Sequence, residues 1–128
     1  MNQAKNKIIQ ENIKLIILAG GKGTRLSEET LLIPKPMVKI GSNPIIWHIM
    51  KSFSYYGVRE FITALGYKSD VIKNYFLNYK KSSGDITVDL KTGKTINHNS
   101  INEDWKIHLL ETGKNTETGG RIKKAMYF

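Results

Sequence analysis

The 128-residue chain contains no cysteine. That excludes disulfide scaffolds and thiolate metal sites, and it fits a reducing compartment. No apolar run approaches the roughly 20 residues needed to span a bilayer. Residues 1–12 carry lysines but no continuous apolar segment, so they do not read as a secretion signal. Neither a membrane partner nor export is expected, and the cytoplasm is the expected location. Acidic residues are scarce beside basic ones: eleven Asp and Glu stand against twenty Lys and Arg, a formal charge of +9. Such a balance raises nucleic acid as a partner. Yet the lysines are scattered, adjacent only at Lys80-Lys81 and Lys123-Lys124, and no basic stripe interleaved with aromatics runs along the chain. A solvated basic surface that attracts small polyanions is the expectation, with no nucleic-acid partner.

What is present suits one α/β domain. An apolar fraction of 40% argues against disorder, and this length can bury a modest core. Residues 1–12 are polar and read as an N-terminal extension, leaving 13–128 as the domain. Leu15-Ile16-Ile17-Leu18-Ala19 is a run of β-branched and leucine residues, the pattern of a strand buried on both faces. Met37-Val38-Lys39-Ile40 is a short strand candidate. Asn43 is placed to cap a helix opening at Pro44. Ile45, Ile46, Ile49, Met50 and Phe53 form the stripe of that helix, and Gly57 its stop. Phe61-Ile62-Thr63-Ala64-Leu65 reads as a second strand. A second helix follows, capped by Ser69 or Asp70, with Val71, Ile72, Tyr75, Phe76 and Tyr79 as its apolar stripe. Residues 86–90 read as a third strand, paired in a hairpin with residues 95–99, and residues 105–111 as a further one. Strand alternating with helix predicts a three-layer fold, a mostly parallel Rossmann-like sheet with helices on both faces. Ligands of such sheets sit beyond the carboxyl ends of the strands.

The first strand empties into Gly20-Gly21-Lys22-Gly23-Thr24-Arg25-Leu26, with Pro34-Lys35-Pro36 downstream. Glycines there allow positive φ and close approach to a ligand, and successive N–H groups can converge on an anion. Arg25 adds a planar, permanently charged fork, and Lys35 can add a mobile point charge. Two common phosphate loops are excluded. A Walker loop requires a Gly-Lys-Ser/Thr that Arg25 and Leu26 do not supply, and the dinucleotide fingerprint requires a glycine where Leu26 stands. A second glycine- and hydroxyl-rich stretch, Thr112-Gly113-Lys114-Asn115-Thr116-Glu117-Thr118-Gly119-Gly120-Arg121, opens into Ile122-Lys123-Lys124-Ala125. Free N–H groups at such a helix entrance can read a base edge or hold an anion. Arg121 near that entrance opposes the helix dipole, a local conflict of the kind found at functional sites.

Leu18-Ala19-Gly20-Gly21-x-Gly23-Thr24-Arg25-Leu26 together with Pro34-Lys35-Pro36 resembles the signature of the sugar-1-phosphate nucleotidyltransferases. Pro44 to Lys51, Gly66-Tyr67-Lys68, the Ile72 to Tyr79 segment and Thr118-Gly119-Gly120-Arg121 extend the resemblance to the glucose-1-phosphate cytidylyltransferase branch. It covers the chain from about Lys14 to its last residue. By this resemblance Leu18, Ala19, Gly20, Gly21, Lys22, Gly23, Thr24 and Arg25 would bind the nucleotide, and Thr116, Gly119 and Arg121 would lie around the cytidine. Arg25 and Lys35 would be the catalytic cations on the reacting phosphates. The substrates implied are CTP and glucose 1-phosphate and the products CDP-glucose and pyrophosphate, a step toward bacterial surface polysaccharide. Homo-oligomers are implied for the full-length family.

The resemblance also implies Mg²⁺ as cofactor. Its aspartate ligands would follow the Arg121 helix, beyond residue 128, so no metal ligand is assigned in this chain. Family members are about twice as long, and the chain is read as the amino-terminal half of the domain. It is either a piece of a longer protein or a short relative completed by a partner. Three other readings stay open: a non-catalytic nucleotide-binding module, a thymidylyl or uridylyl transferase of the same family, and a basic nucleic-acid binder, which the scattered lysines support least.

Overall fold

The computed structural model of the chain describes residues 13–21, 33–98, 103–113 and 118–128. The expected extension, residues 1–12, lies outside them. Among the described residues the main sheet has three strands, β1 (Lys14–Ala19), β4 (Glu60–Leu65) and β7 (Lys106–Glu111). They are parallel in the order β1-β4-β7, and Ile62 of β4 lies opposite both Ile16 and His108. Phe61 through Leu65 are all buried, as a central parallel strand covered on both faces requires.

Helix α1 (Ile45–Tyr55) leads into β4, α2 (Ser69–Leu77) leads from β4 toward β7, and α3 (Thr118–Ala125) follows β7. On one face Ile17, Phe61 and Leu65 pack with Ile46 and Met50 of α1 and Ile72 of α2. On the other, Ile62 and Leu110 pack with Ala125 of α3, and Ile16 joins them. This is the expected three-layer arrangement with helices on both faces. No helix among the described residues is long and apolar enough to cross a membrane.

Local details depart from the sequence expectations. Residues 35–37 form a single 3-10 turn, and only Lys39–Ile40 is strand, β2, paired with β3 (Asn43–Pro44) around Gly41 at φ 68°. Asn43 is therefore held in a ribbon. Pro44 takes the cap position of α1 with no side-chain cap, while Ile45 N–H finds the Val38 carbonyl at 2.9 Å. Gly57 does end α1, at φ 106° and with its N–H on Ser54 O, because a left-handed residue closes a helix terminus most cheaply as glycine. At α2 neither Ser69 nor Asp70 caps. Ser69 is the first helical residue, and Lys68 precedes it in the left-handed region, φ 51°. The Ser69 hydroxyl is engaged elsewhere, donating to Glu111 Oε2 at 2.6 Å.

The expected third strand is a strand but not of the main sheet. Among the described residues β5 (Asp85–Asp89) pairs with β6 (Lys94–His98) alone, antiparallel, in a separate two-stranded ribbon. The Asp89 carboxylate accepts from Lys91 N–H at 2.9 Å and closes its turn. Asn97 fastens the ribbon to the turn that follows α2, donating to Lys80 O and Lys81 O at 3.0 and 2.9 Å. β7 takes the third place in the sheet, and Asn99 lies outside the described residues.

Candidate functional site

Three chain segments leave the carboxyl end of the sheet side by side: Gly20 after β1, Gly66 after β4 and Thr112 after β7. The parallel register brings them level, with Ala19 opposite Leu65 and Leu65 opposite Glu111. Tyr67 N–H reaches Gly20 O at 3.3 Å, and Thr112 N–H reaches Leu65 O at 3.0 Å, so the three exits are laced together.

The Arg121 guanidinium lies across these exits. Arg121 belongs to the first turn of α3, which begins at Thr118, earlier than the loop reading expects. The residue is 6% exposed. Arg121 Nη1 donates to Thr112 Oγ1 at 2.8 Å and to Leu65 O at 3.3 Å. A buried cation needs such partners. Its closeness to the strand ends explains two glycines. A β-carbon at Gly20 would fall 1.7 Å from Arg121 Nη1, and one at Gly66 would fall 2.5 Å from it. Neither Gly20 nor Gly21 has positive φ, so the expectation of left-handed backbone there is corrected. At Gly20, glycine is required for close approach.

Around this crossing the helices are tied to the end of β7. Lys73 pairs with the Glu111 carboxylate, Ser69 donates to it, and Lys124 donates to the Glu111 main-chain carbonyl. The bonds from Lys73 and Ser69 hold the Glu111 carboxyl below its ordinary range. Lys68 lies over the Tyr67 ring at 5.7 Å. A Gly66-Tyr67-Lys68 turn thus carries a cation and an aromatic ring to the same end of the sheet.

Of the expected nucleotide-binding residues, Ala19, Gly20 and Arg121 come together at this end, with Leu18 just before them on β1 and Gly21 exposed just after. Gly119 is exposed on the first turn of α3. Lys35 is exposed in the 3-10 turn, whose preceding Pro34 is fully buried. Lys22, Gly23, Thr24, Arg25 and Thr116 lie outside the described residues. Thr112 and Gly66 stand in the sequence only as parts of longer motifs, with no site role of their own. The signal for both was their position: each immediately follows a strand.

A separate groove of about 760 Å³ opens between α1 and α2, lined by residues that include Asn43, Trp47, Lys51, Tyr75 and Tyr79. Trp47 Nε1 donates to Tyr79 Oη there at 2.9 Å, and burial pushes the Tyr75 hydroxyl up to about 12. The groove includes none of the residues at the strand exits. Among the described residues no group of three or more His, Asp or Glu side chains could hold a metal ion.

Comparison with known proteins bears on this geometry. The family model described as "Nucleotidyl transferase" matches residues 14–103. Glucose-1-phosphate cytidylyltransferase of Salmonella typhimurium is 49% identical over 112 residues, covering 88% of this chain and 44% of the relative. A probable glucose-1-phosphate cytidylyltransferase of Bacillus subtilis is 53% identical over 113 residues, with the same coverage. Mannose-1-phosphate guanyltransferase of Neurospora crassa is 35% identical over 81 residues, 62% of this chain and 22% of the relative. Among solved structures, HddC from Yersinia pseudotuberculosis complexed with GMP-PN superposes with a TM-score of 0.60 at 31% identity, covering 89% of this chain and 41% of that one. The chain thus spans less than half the length of these relatives.

Proposed function

The chain belongs to the nucleotidyl transferase family, and from that premise we propose that it supplies the nucleotide site for transfer of a cytidylyl group from CTP to α-D-glucose 1-phosphate, giving CDP-glucose and pyrophosphate. The observation that carries this reading is the buried Arg121 guanidinium laid across the glycine-edged carboxyl ends of three parallel strands. That is where sheets of this type receive ligands. The names of the Salmonella and Bacillus relatives support cytosine as the base and glucose as the sugar.

In this reading the sugar phosphate oxygen attacks the α-phosphorus in line as pyrophosphate leaves. Little covalent help from protein is needed, so positioning and charge stabilisation dominate. Arg25 is assigned to the charge developing on the leaving pyrophosphate and Lys35 to the phosphates. The N–H groups of Gly20, Gly21 and Gly23 orient the nucleotide, and Thr116, Gly119 and Arg121 flank the cytidine. Magnesium is the proposed cofactor of the full-length enzyme. The described residues do not fit it, and no step here is routed through it. A cytoplasmic location, homo-oligomeric assembly and a role in surface polysaccharide synthesis belong to the same proposal.

A thermal melt of the 128-residue chain with magnesium, alone and with CTP, UTP, dTTP or ATP, tests the site. A ligand that binds only the folded state raises its stability by about 2.7 kcal/mol at a hundredfold excess over Kd. The expected result is a shift with CTP and none with ATP. A pyrophosphate-release assay with glucose 1-phosphate then tests turnover. Stabilisation by CTP without release would make the chain a nucleotide-binding module, and equal shifts with all four nucleotides would overturn the assignment of the base.

A further inference from the structure

We propose that Thr112 is a positioning residue for Arg121, its hydroxyl fixing the guanidinium across the strand ends in the pose that receives the nucleotide. This rests on the reading of Arg121 as a nucleotide contact. A threonine hydroxyl has one proton to give. Thr112 Oγ1 gives it to Leu65 O, at 2.5 Å, so toward Arg121 Nη1 at 2.8 Å it can only accept. The direction of both bonds is therefore set.

The hydroxyl is not needed to hold the chain at this point. Thr112 N–H already donates to Leu65 O at 3.0 Å, continuing the β4–β7 ladder by one residue. What the hydroxyl adds is a buried acceptor facing the arginine, on a residue only 9% exposed. The other side of the slot is formed by missing side chains, since β-carbons at Gly20 and Gly66 would each collide with Nη1. Arginine otherwise carries much rotamer freedom, and freezing it on binding weakens affinity. Thr112 and the two glycines remove that freedom before the nucleotide arrives.

Two readouts on the 128-residue chain test the proposal in the wild type, Thr112→Val and Thr112→Ser. Valine keeps the β-branch and removes the acceptor; serine keeps the hydroxyl. The first readout is ¹⁵N NMR of the Arg121 guanidinium without nucleotide. Slow guanidinium rotation is expected in the wild type and Thr112→Ser, and fast averaging in Thr112→Val. The second is CTP affinity by titration calorimetry with magnesium. Kd is expected to rise about tenfold in Thr112→Val, the loss of one hydrogen bond to a charged group, and to recover in Thr112→Ser. Unchanged rotation in a folded Thr112→Val overturns the proposal, as does faster rotation with unchanged CTP affinity. A wild type that shows slow rotation but binds no CTP overturns instead the nucleotide reading on which the proposal rests.

Discussion

Replacing Gly20 by alanine tests the packing at the strand ends directly. The new methyl would sit 1.7 Å from Arg121 Nη1, far inside contact, so the guanidinium must leave its slot. It can do so, because it is the end of a flexible side chain and not main chain. Among the contacts described, those lost are the 2.8 Å bond to Thr112 Oγ1 and the longer 3.3 Å bond to Leu65 O. A hydrogen bond to a charged group contributes about 1.5–3 kcal/mol. Against this stands a gain of about 0.4–1 kcal/mol, because alanine has less freedom than glycine in the unfolded chain and Gly20 has no positive φ to forbid it. The net expectation is a loss of about 1–2 kcal/mol, or roughly 4–8 °C in Tm for a domain of this size. Gly21→Ala is the control: nothing lies within 4 Å of a β-carbon there, so it should be neutral or slightly stabilising. Gly66→Ala should cost more than Gly20→Ala, because its β-carbon also meets two main-chain oxygens, Gly20 O at 2.8 Å and Gly113 O at 3.0 Å, which cannot swing aside. Chemical or thermal melts of the three variants give the order. In an Arg121→Ala background the cost of Gly20→Ala should vanish, a coupling of about 1–3 kcal/mol. If Gly20→Ala melts like Gly21→Ala, or if its cost survives removal of Arg121, the arginine does not occupy this slot and the reasoning fails.

Three further outcomes are expected. Thr63 Oγ1 is buried on the central strand with no hydrogen-bond partner; Thr63→Val removes that orphan at constant shape and should stabilise by about 1 kcal/mol in a denaturant melt, whereas a loss would mean the hydroxyl is satisfied. The Glu111 and Glu60 carboxyls are both held below their ordinary range, Glu111 by Lys73 and Ser69, and Glu60 by the hydrogen bond from His108 and the charge of Lys14. A lowered carboxylate stabilises above its unfolded-state pKa and loses that contribution as pH falls through its folded-state value, so Tm should drop through the acid carboxylate range, less steeply in Glu111→Gln; parallel profiles would refute the link. Arg25→Ala, from the proposed phosphate contacts, should weaken CTP binding about tenfold or more while leaving the melt of the free chain unchanged, and unchanged CTP affinity would remove Arg25 from the site.

The layered fold was legible because its signals are local. The apolar run of β1, the helical stripe of Ile46 and Met50, and the Gly57 stop each follow from a period or a backbone requirement within a few residues. Errors arose where a tertiary partner outbid a local preference. Ser69 looks like a helix cap, but Glu111, from a strand far along the chain, takes its hydroxyl. Asn43 looks like a cap, but it is paired with Ile40. The hairpin of residues 86–90 with the segment after Gly93 forms as expected, yet nothing in its own sequence shows that it stands apart from the main sheet.

The same distinction runs through the site. Glycine after β1 reads, from the sequence, as backbone freedom for binding an anion. At Gly20 the structure assigns it a different cause, the approach of a side chain 101 positions away, 121 less 20, which no local pattern encodes. The parallel register explains why that approach is possible. It levels the ends of β1, β4 and β7, so a single guanidinium can touch the residue after each strand. For such a crossing, each exit must be either small or able to accept a hydrogen bond. Gly20, Gly66 and Thr112 meet that condition one by one, and a larger side chain at any of the three would displace the arginine from all of them. Three separate and locally unremarkable positions are thus one requirement, imposed by a fourth residue on the last helix.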